Sequence, residues 1–220
     1  PMIVFINKLD REGKDAFDLM DEVEQKLKLR VTPLSFPIGM GYDFQGIYNI
    51  WEKNINLFEG DSRKNIEETI AFDDINNPEL EKIIGEKPAN RLREELELIE
   101  EVYPAFSREE YLAGDLQPVF FGSALNNFGV RELLDCFVEI APTPRAKESD
   151  TRLVHPEEEK LSGFVFKIHA NMDPKHRDRL AFIKIVSGTF EKNKPYLHVR
   201  LGKNLKFSSP NAFFAEKKEI

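Results

Sequence analysis

The sequence predicts an α/β fold that carries an α+β insertion and leads into the start of a small antiparallel β-barrel. Three observations support this. Two short apolar runs, Met2-Ile3-Val4-Phe5-Ile6 and Pro118-Val119-Phe120-Phe121, each empty into a loop of polar or small residues and then into an amphipathic stretch, as buried parallel strands do. The chain between them is acidic and helical in pattern. Beyond a connector that begins Pro142-Thr143-Pro144-Arg145, the apolar period changes to two.

The first run ends at Asn7-Lys8-Leu9-Asp10, which places these residues at the carboxyl end of a strand, where ligands sit in open parallel sheets. A carboxylate offers two adjacent acceptors. Guanine presents a ring N–H beside an exocyclic amino group, so Asp10 can take both protons, whereas adenine sets an acceptor at the matching ring position. Lys8 can lay its aliphatic stem across a purine face. Asn7 can tie the loop to neighbouring backbone or to the base edge. Asp15 then caps a helix with Phe17, Met20, Val23 and Leu27 on one stripe. Residues 32–38 read as one strand, barred by Pro33 and Pro37 from a central place in a regular ladder. In residues 39–58, Tyr42, Phe44, Tyr48, Trp51 and Phe58 come with few cations, which favours core or hairpin packing over base stacking.

The acidic middle has 17 acids against 7 bases over residues 59–115. Asn77-Pro78 starts one helix, Leu92, Leu96 and Ile99 mark the buried face of another, and Ser107-Arg108-Glu109-Glu110 is a capping box. Glu94-Glu95 and Glu100-Glu101 are exposed helical faces rather than acid/base pairs or metal ligands, because neighbouring helical residues point in different directions. The second apolar run then delivers Gly122-Ser123-Ala124-Leu125. The Ala124 N–H can donate to the 6-oxo oxygen of guanine, and the Ser123 hydroxyl can steady the Asp10 carboxylate. A helix follows with Leu133, Leu134, Phe137, Ile140 and Ala141 on one face and Pro142 at its end.

After the connector, Phe164, Phe166 and Ile168 alternate, as do Ala181, Ile183 and Ile185, with turns at Gly188 and Asn193. Residues 152–209 hold 12 bases against 6 acids. In the loop of residues 171–179, Lys175, His176, Arg177 and Arg179 can meet nucleic-acid phosphates, or can form a solvated turn in which Asp173 and Asp178 pair with them. His155 and His169 lack partners at metal-ligand spacing. The single cysteine, Cys136, reads as a buried small hydrophobe, in keeping with a reducing cytoplasm. A net charge of −8 argues against a general nucleic-acid coat, and DNA is not an expected partner. No run has the length of a membrane span.

Asn7-Lys8-Leu9-Asp10-Arg11-Glu12 together with Gly122-Ser123-Ala124-Leu125 resembles the guanine-recognition elements of translational GTPases. Residues 163–188, with Ala170-Asn171-Met172-Asp173-Pro174-Lys175-His176-Arg177-Asp178-Arg179, resemble the branch that recycles class-I release factors in translation termination; the translocase-type elongation factors share Asn-Lys-x-Asp-Arg. The resemblance implies a cytoplasmic GTPase using GTP/GDP and Mg²⁺, with the ribosome (its RNA and stalk protein) and class-I release factors as partners. Asn7, Lys8 and Asp10 then contact the base, and Ser123, Ala124 and Leu125 form the second base loop. It also implies that residues 1–145 are the C-terminal portion of a P-loop GTPase domain with an insertion over about 42–116. Residues 146–160 follow as a linker and 161–220 as a truncated β-barrel. No Gly-rich phosphate loop ending in Lys-Ser/Thr occurs in the sequence, and neither a Thr-bearing switch nor a magnesium loop is assigned to it. The expectation is an internal fragment of a longer protein, without catalytic or metal-binding residues of its own and inactive by itself. A noncatalytic ribosome-binding module is the alternative from a different class.

Overall fold

A computed structural model describes residues 1–58, 69–72, 74–170, 179–208, 210, 212–214 and 217–219. The chain divides into two units, Pro1–Pro142 and Thr143–Ile220.

In the first unit, β1 (Val4–Ile6) is followed by α1 (Ala16–Leu27), whose N-cap Asp15 accepts a hydrogen bond from the Phe17 N–H at 3.0 Å. Met20 is fully buried, but Leu27 is exposed, since Lys28 turns left-handed and ends the helix there. The expected strand over 32–38 is two strands, β2 (Val31–Pro33) and β3 (Ser35–Ile38), in different sheets. Leu34 is the crossing point. Its N–H donates to the Val119 carbonyl at 2.9 Å and its carbonyl accepts from Trp51 N–H at 3.1 Å. β3 pairs antiparallel with β4 (Gly46–Asn49), β4 with β5 (Asn54–Leu57), and β5 with β6 (Thr69–Ala71). Both prolines thus lie in edge strands, as their missing N–H groups require.

Three helices follow, α2 (Glu79–Ile84), α3 (Glu86–Val102) and α4 (Arg108–Ala113). Asn77 Oδ1 accepts from Glu79 N–H at 3.0 Å and Ser107 Oγ from Glu110 N–H at 3.3 Å, so both expected start signals cap their helices. Leu92 and Ile99 are buried, and Glu94, Glu100 and Glu101 are exposed. Glu95 is half-buried and ion-paired with Arg91 at 2.7 Å.

β7 (Gln117–Phe121) is the central strand of a parallel sheet ordered β1-β7-β2, and all five of its residues are buried. Val4 stands opposite Val119 and Ile6 opposite Phe121, while β2 places Val31 opposite Gln117. Pro118 is tolerated in this central strand because the β1 ladder begins only at Val119. The two faces of β7 serve two cores. Val119 and Phe121 join Leu9, Met20, Phe36, Ile47, Ile55, Leu80 and Leu92; Phe120 joins Leu34, Tyr111, Cys136 and Ile140. The segment read as an insertion therefore shares the core of the base-loop strands. Each fully buried Phe contributes about 1.5–3 kcal/mol of transfer free energy to that core.

α5 (Val130–Ile140) buries Glu132, Cys136 and Ile140. Leu134 and Phe137, expected on the buried face, are 51% and 48% exposed. Burial pushes the Cys136 thiol up to about 12, so it stays protonated and inert. Among the described residues no helix is long and apolar enough to cross a membrane.

In the second unit, the stretch read as a linker carries a short ladder between β8 (Lys147–Glu148) and β9 (Leu153–Val154). Its turn is held by Ser149 Oγ donating to the Arg152 carbonyl at 2.6 Å. A two-pronged Arg152–Glu158 pair, each bond 2.7 Å, flanks it. β10 (Ser162–Ala170) and β11 (Arg179–Ser187) form a long antiparallel ribbon with register shifts at Ser162/Gly163 and Val165/Lys167. The second shift skips Phe166 and breaks the regular alternation expected there. β12 (Pro195–His198) pairs with β13 (Lys203–Lys206), and β14 (Ala212–Phe214) with β15 (Lys217–Glu219).

Candidate functional site

Parallel pairing of β1 with β7 brings their carboxyl ends side by side, and with them the two loops singled out in the sequence. Gly122 N–H donates to the Ile6 carbonyl at 3.0 Å and Leu9 N–H to the Gly122 carbonyl at 3.2 Å, so the strand ladder continues into the loops. Gly122 must lack a side chain. A Cβ there would stand 2.3 Å from the Phe128 carbonyl oxygen and 2.8 Å from the Phe5 ring.

Asn7 is the knot. Its Oδ1 accepts from the Lys8 N–H and from the Ala124 N–H, both at 2.8 Å, which closes the first loop on itself and joins it to the second. Of the two uses the sequence left open for Asn7, the structure shows the tie to backbone. Two N–H donors converging on one amide atom identify that atom as oxygen, so Nδ2 is the remaining donor end. The Ala124 N–H, expected to be available to a base carbonyl, is donated to Asn7 instead.

Lys8 adopts a left-handed backbone, φ 72°, and its side chain is exposed. Leu9 next to it is buried and anchors the loop in the core. Arg11 N–H donates to the Lys8 carbonyl at 3.1 Å, closing a tight turn that leaves the Asp10 side chain 21% exposed with Arg11 Nε 4.0 Å away. Ser123 is buried, and its hydroxyl accepts from Asn126 Nδ2 at 2.9 Å rather than meeting Asp10. Its backbone exchanges two 3.0 Å hydrogen bonds with Phe128, which fold residues 123–128 into a closed loop. The Leu125 side chain is 83% exposed.

Of the cationic loop, Lys175, His176 and Arg177 lie outside the described residues. Arg179 opens β11 opposite Ala170 and is exposed. Among the described residues no group of three or more His, Cys, Asp or Glu could hold a metal ion.

Two further participants were not singled out as site residues, Phe128 and the turn Gly41–Asp43 with Phe44 behind it. Gly41 N–H donates to the Leu9 carbonyl at 2.9 Å, and Phe44 packs on Phe128. Their only signal was the aromatic stretch of residues 39–58 with few cations, which holds Phe44 but not Phe128. Among known families, residues 1–143 match the elongation factor Tu GTP binding domain, and residues 160–220 match elongation factor G domain 2.

Proposed function

This chain belongs to the translational GTPase family, and we propose that within it residues 7–10 and 122–125 form the guanine-reading site. The observation that carries this reading is the Asn7 junction, which ties Asn7-Lys8-Leu9-Asp10 to Ala124 at the carboxyl ends of paired parallel strands. Asp10 takes the ring N–H and the amino group of guanine. Lys8 covers a face of the ring with its methylenes. Asn7 Nδ2, with its oxygen committed to backbone, donates to the acceptor edge of the base, a role the sequence had given to the Ala124 N–H. Ser123, Ala124 and Leu125 wall the second side.

The nucleotide is GTP or GDP, and hydrolysis belongs to a GTPase with magnesium ligands and a Gly-rich phosphate loop ending in Lys-Ser/Thr, a loop this sequence does not contain. Positioned phosphate-loop donors and Mg²⁺ supply nearly all transition-state stabilisation in this chemistry, so the chain alone has no turnover. The finer assignment is to peptide-chain release factor three, which recycles class-I release factors in the cytoplasm, on the resemblance of residues 163–188. In that reading Lys175, His176, Arg177 and Arg179 touch ribosomal RNA, and the segment 42–116 faces the ribosomal stalk.

Titrating the chain with guanosine and adenosine nucleotides at millimolar concentration, followed by amide NMR, tests the site. Shifts at Lys8, Asp10 and Ala124 with guanine only are expected. Identical responses to both bases overturn the reading. For the finer assignment, GTP-dependent release of a class-I factor from ribosomes by the intact protein is expected, and translocation activity overturns it.

A further inference from the structure

We infer that the short turn between β3 and β4 sets the position of both loops of the site, with Gly41 and Phe44 as its positioning residues. The inference rests on the guanine reading above only for its consequence in nucleotide binding.

Gly41 seats the turn against the first loop. Its N–H bonds to the carbonyl of the buried Leu9 at 2.9 Å, and Leu9 in turn bonds to Gly122. Its φ of +62° is left-handed, and a Cβ there would come within 3.1 Å of Glu12 Cγ and 3.3 Å of the Glu12 backbone. The turn is flush with the residues just after Asp10.

Phe44 seats the same turn against the second loop. Its ring meets that of buried Phe128 edge-on, with centroids 5.6 Å apart and an interplanar angle of 86°. Phe58 completes a three-ring cluster, 5.2 Å from Phe44 and 5.4 Å from Phe128. Phe128 is the residue whose N–H and carbonyl are both spent on Ser123, so fixing its ring fixes the closure of residues 123–128. From the neighbouring strand, Asn56 Nδ2 donates to Glu132 Oε1 at 2.6 Å and pins the start of α5 to the same sheet. One rigid element thus touches both halves of the site. Tyr42, between the two positioning residues, is 95% exposed and takes no part in the bracing.

A residue that merely fills the core loosens the whole unit when trimmed, whereas a positioning residue loosens the loop it holds. Site-resolved amide hydrogen exchange separates the two. In Phe44→Leu, the Ser123, Ala124 and Phe128 amides are expected to exchange about tenfold faster or more while Ile55 in β5 stays within about twofold of wild type. Gly41→Ala is expected to do the same at Leu9 and Arg11, and it carries the test if Phe44→Leu does not fold. Tyr42→Ala leaves all these amides unchanged. In the intact protein, both positioning variants release GDP faster by more than their loss of global stability accounts for. Loop amides at wild-type rates, or a uniform rise across the unit, overturn the inference. Local loosening in a protein that shows no guanine preference supports the positioning role and overturns the base reading instead.

Discussion

The two units organise apolar residues in opposite ways. Among the described residues, every buried hydrophobic side chain but Val154 lies in the first unit. In the second, Phe166 and Ile168 of the β10–β11 ribbon are 60% and 66% exposed. Both units hold regular ladders. In the first, a shared core fixes where the strands end, and Leu9 and Phe128 anchor the two loops in it. In the second, the ribbon is joined by backbone pairing, with the Phe166 and Phe182 rings 6.3 Å apart across it. Pairing alone makes a strand; a site whose atoms must hold position to fractions of an ångström needs the core behind it.

The largest expected effect tests this contrast directly. Phe121→Ala removes a fully buried ring that meets Phe36 at 5.7 Å, and is expected to destabilise the first unit by about 3–5 kcal/mol in urea unfolding. Phe166→Ala, in the ribbon, is expected to cost less than about 1 kcal/mol. A large cost at Phe166 would break the comparison. Next, Asn7→Ala leaves the Lys8 and Ala124 N–H groups without their acceptor, at about 1–2 kcal/mol of stability, and is expected to lower guanine affinity roughly tenfold or more. Full affinity in calorimetry would remove Asn7 from the site. Ser107→Ala, the loss of a single cap away from both loops, costs about 1 kcal/mol and leaves base binding unchanged.

The smallest effect belongs to the second unit. The Arg152 guanidinium, and then the His155 N–H, hold the Glu158 carboxyl down at about 2. A carboxyl depressed in the folded state stabilises above its ordinary value of 4.5, and that contribution is lost as the pH falls from there towards about 2. The β8–β9 amide resonances are expected to move late in an acid titration, close to pH 2. Movement centred at 4.5 would show that the Arg152–Glu158 pair does not hold in solution.

Both base loops were legible because everything that announces them is local: an apolar run, a polar or small tetrapeptide, then a helix. The caps Asp15, Asn77 and Ser107 were legible for the same reason. Long-range bonds were not. Nothing near Leu34 shows that its N–H will reach Val119, so one apparent strand became two. In α5 the apolar residues form two overlapping stripes, and periodicity favoured Leu134 and Phe137. The helix instead buries the stripe through Cys136 and Ile140, with Glu132 on the same side hydrogen-bonded to Asn56. The contacts of Gly41 and Phe44 with the base loops became visible only in three dimensions.

The central claim is that Asp10 reads the base edge, and competition binding of GDP and XDP to the intact protein and its Asp10→Asn variant tests it most directly. In the proposed reading the carboxylate accepts two N–H groups from guanine, each such bond to a charged group contributing about 1.5–3 kcal/mol. An Asn amide keeps one acceptor but sets an NH₂ against guanine's amino group, donor to donor, a mismatch that rejects a ligand strongly. Xanthine carries a carbonyl at that position and keeps the neighbouring ring N–H, so it matches the amide at both. Wild-type protein should prefer GDP, and Asp10→Asn should prefer XDP. Equal losses for both nucleotides, or no change for either, would contradict the account.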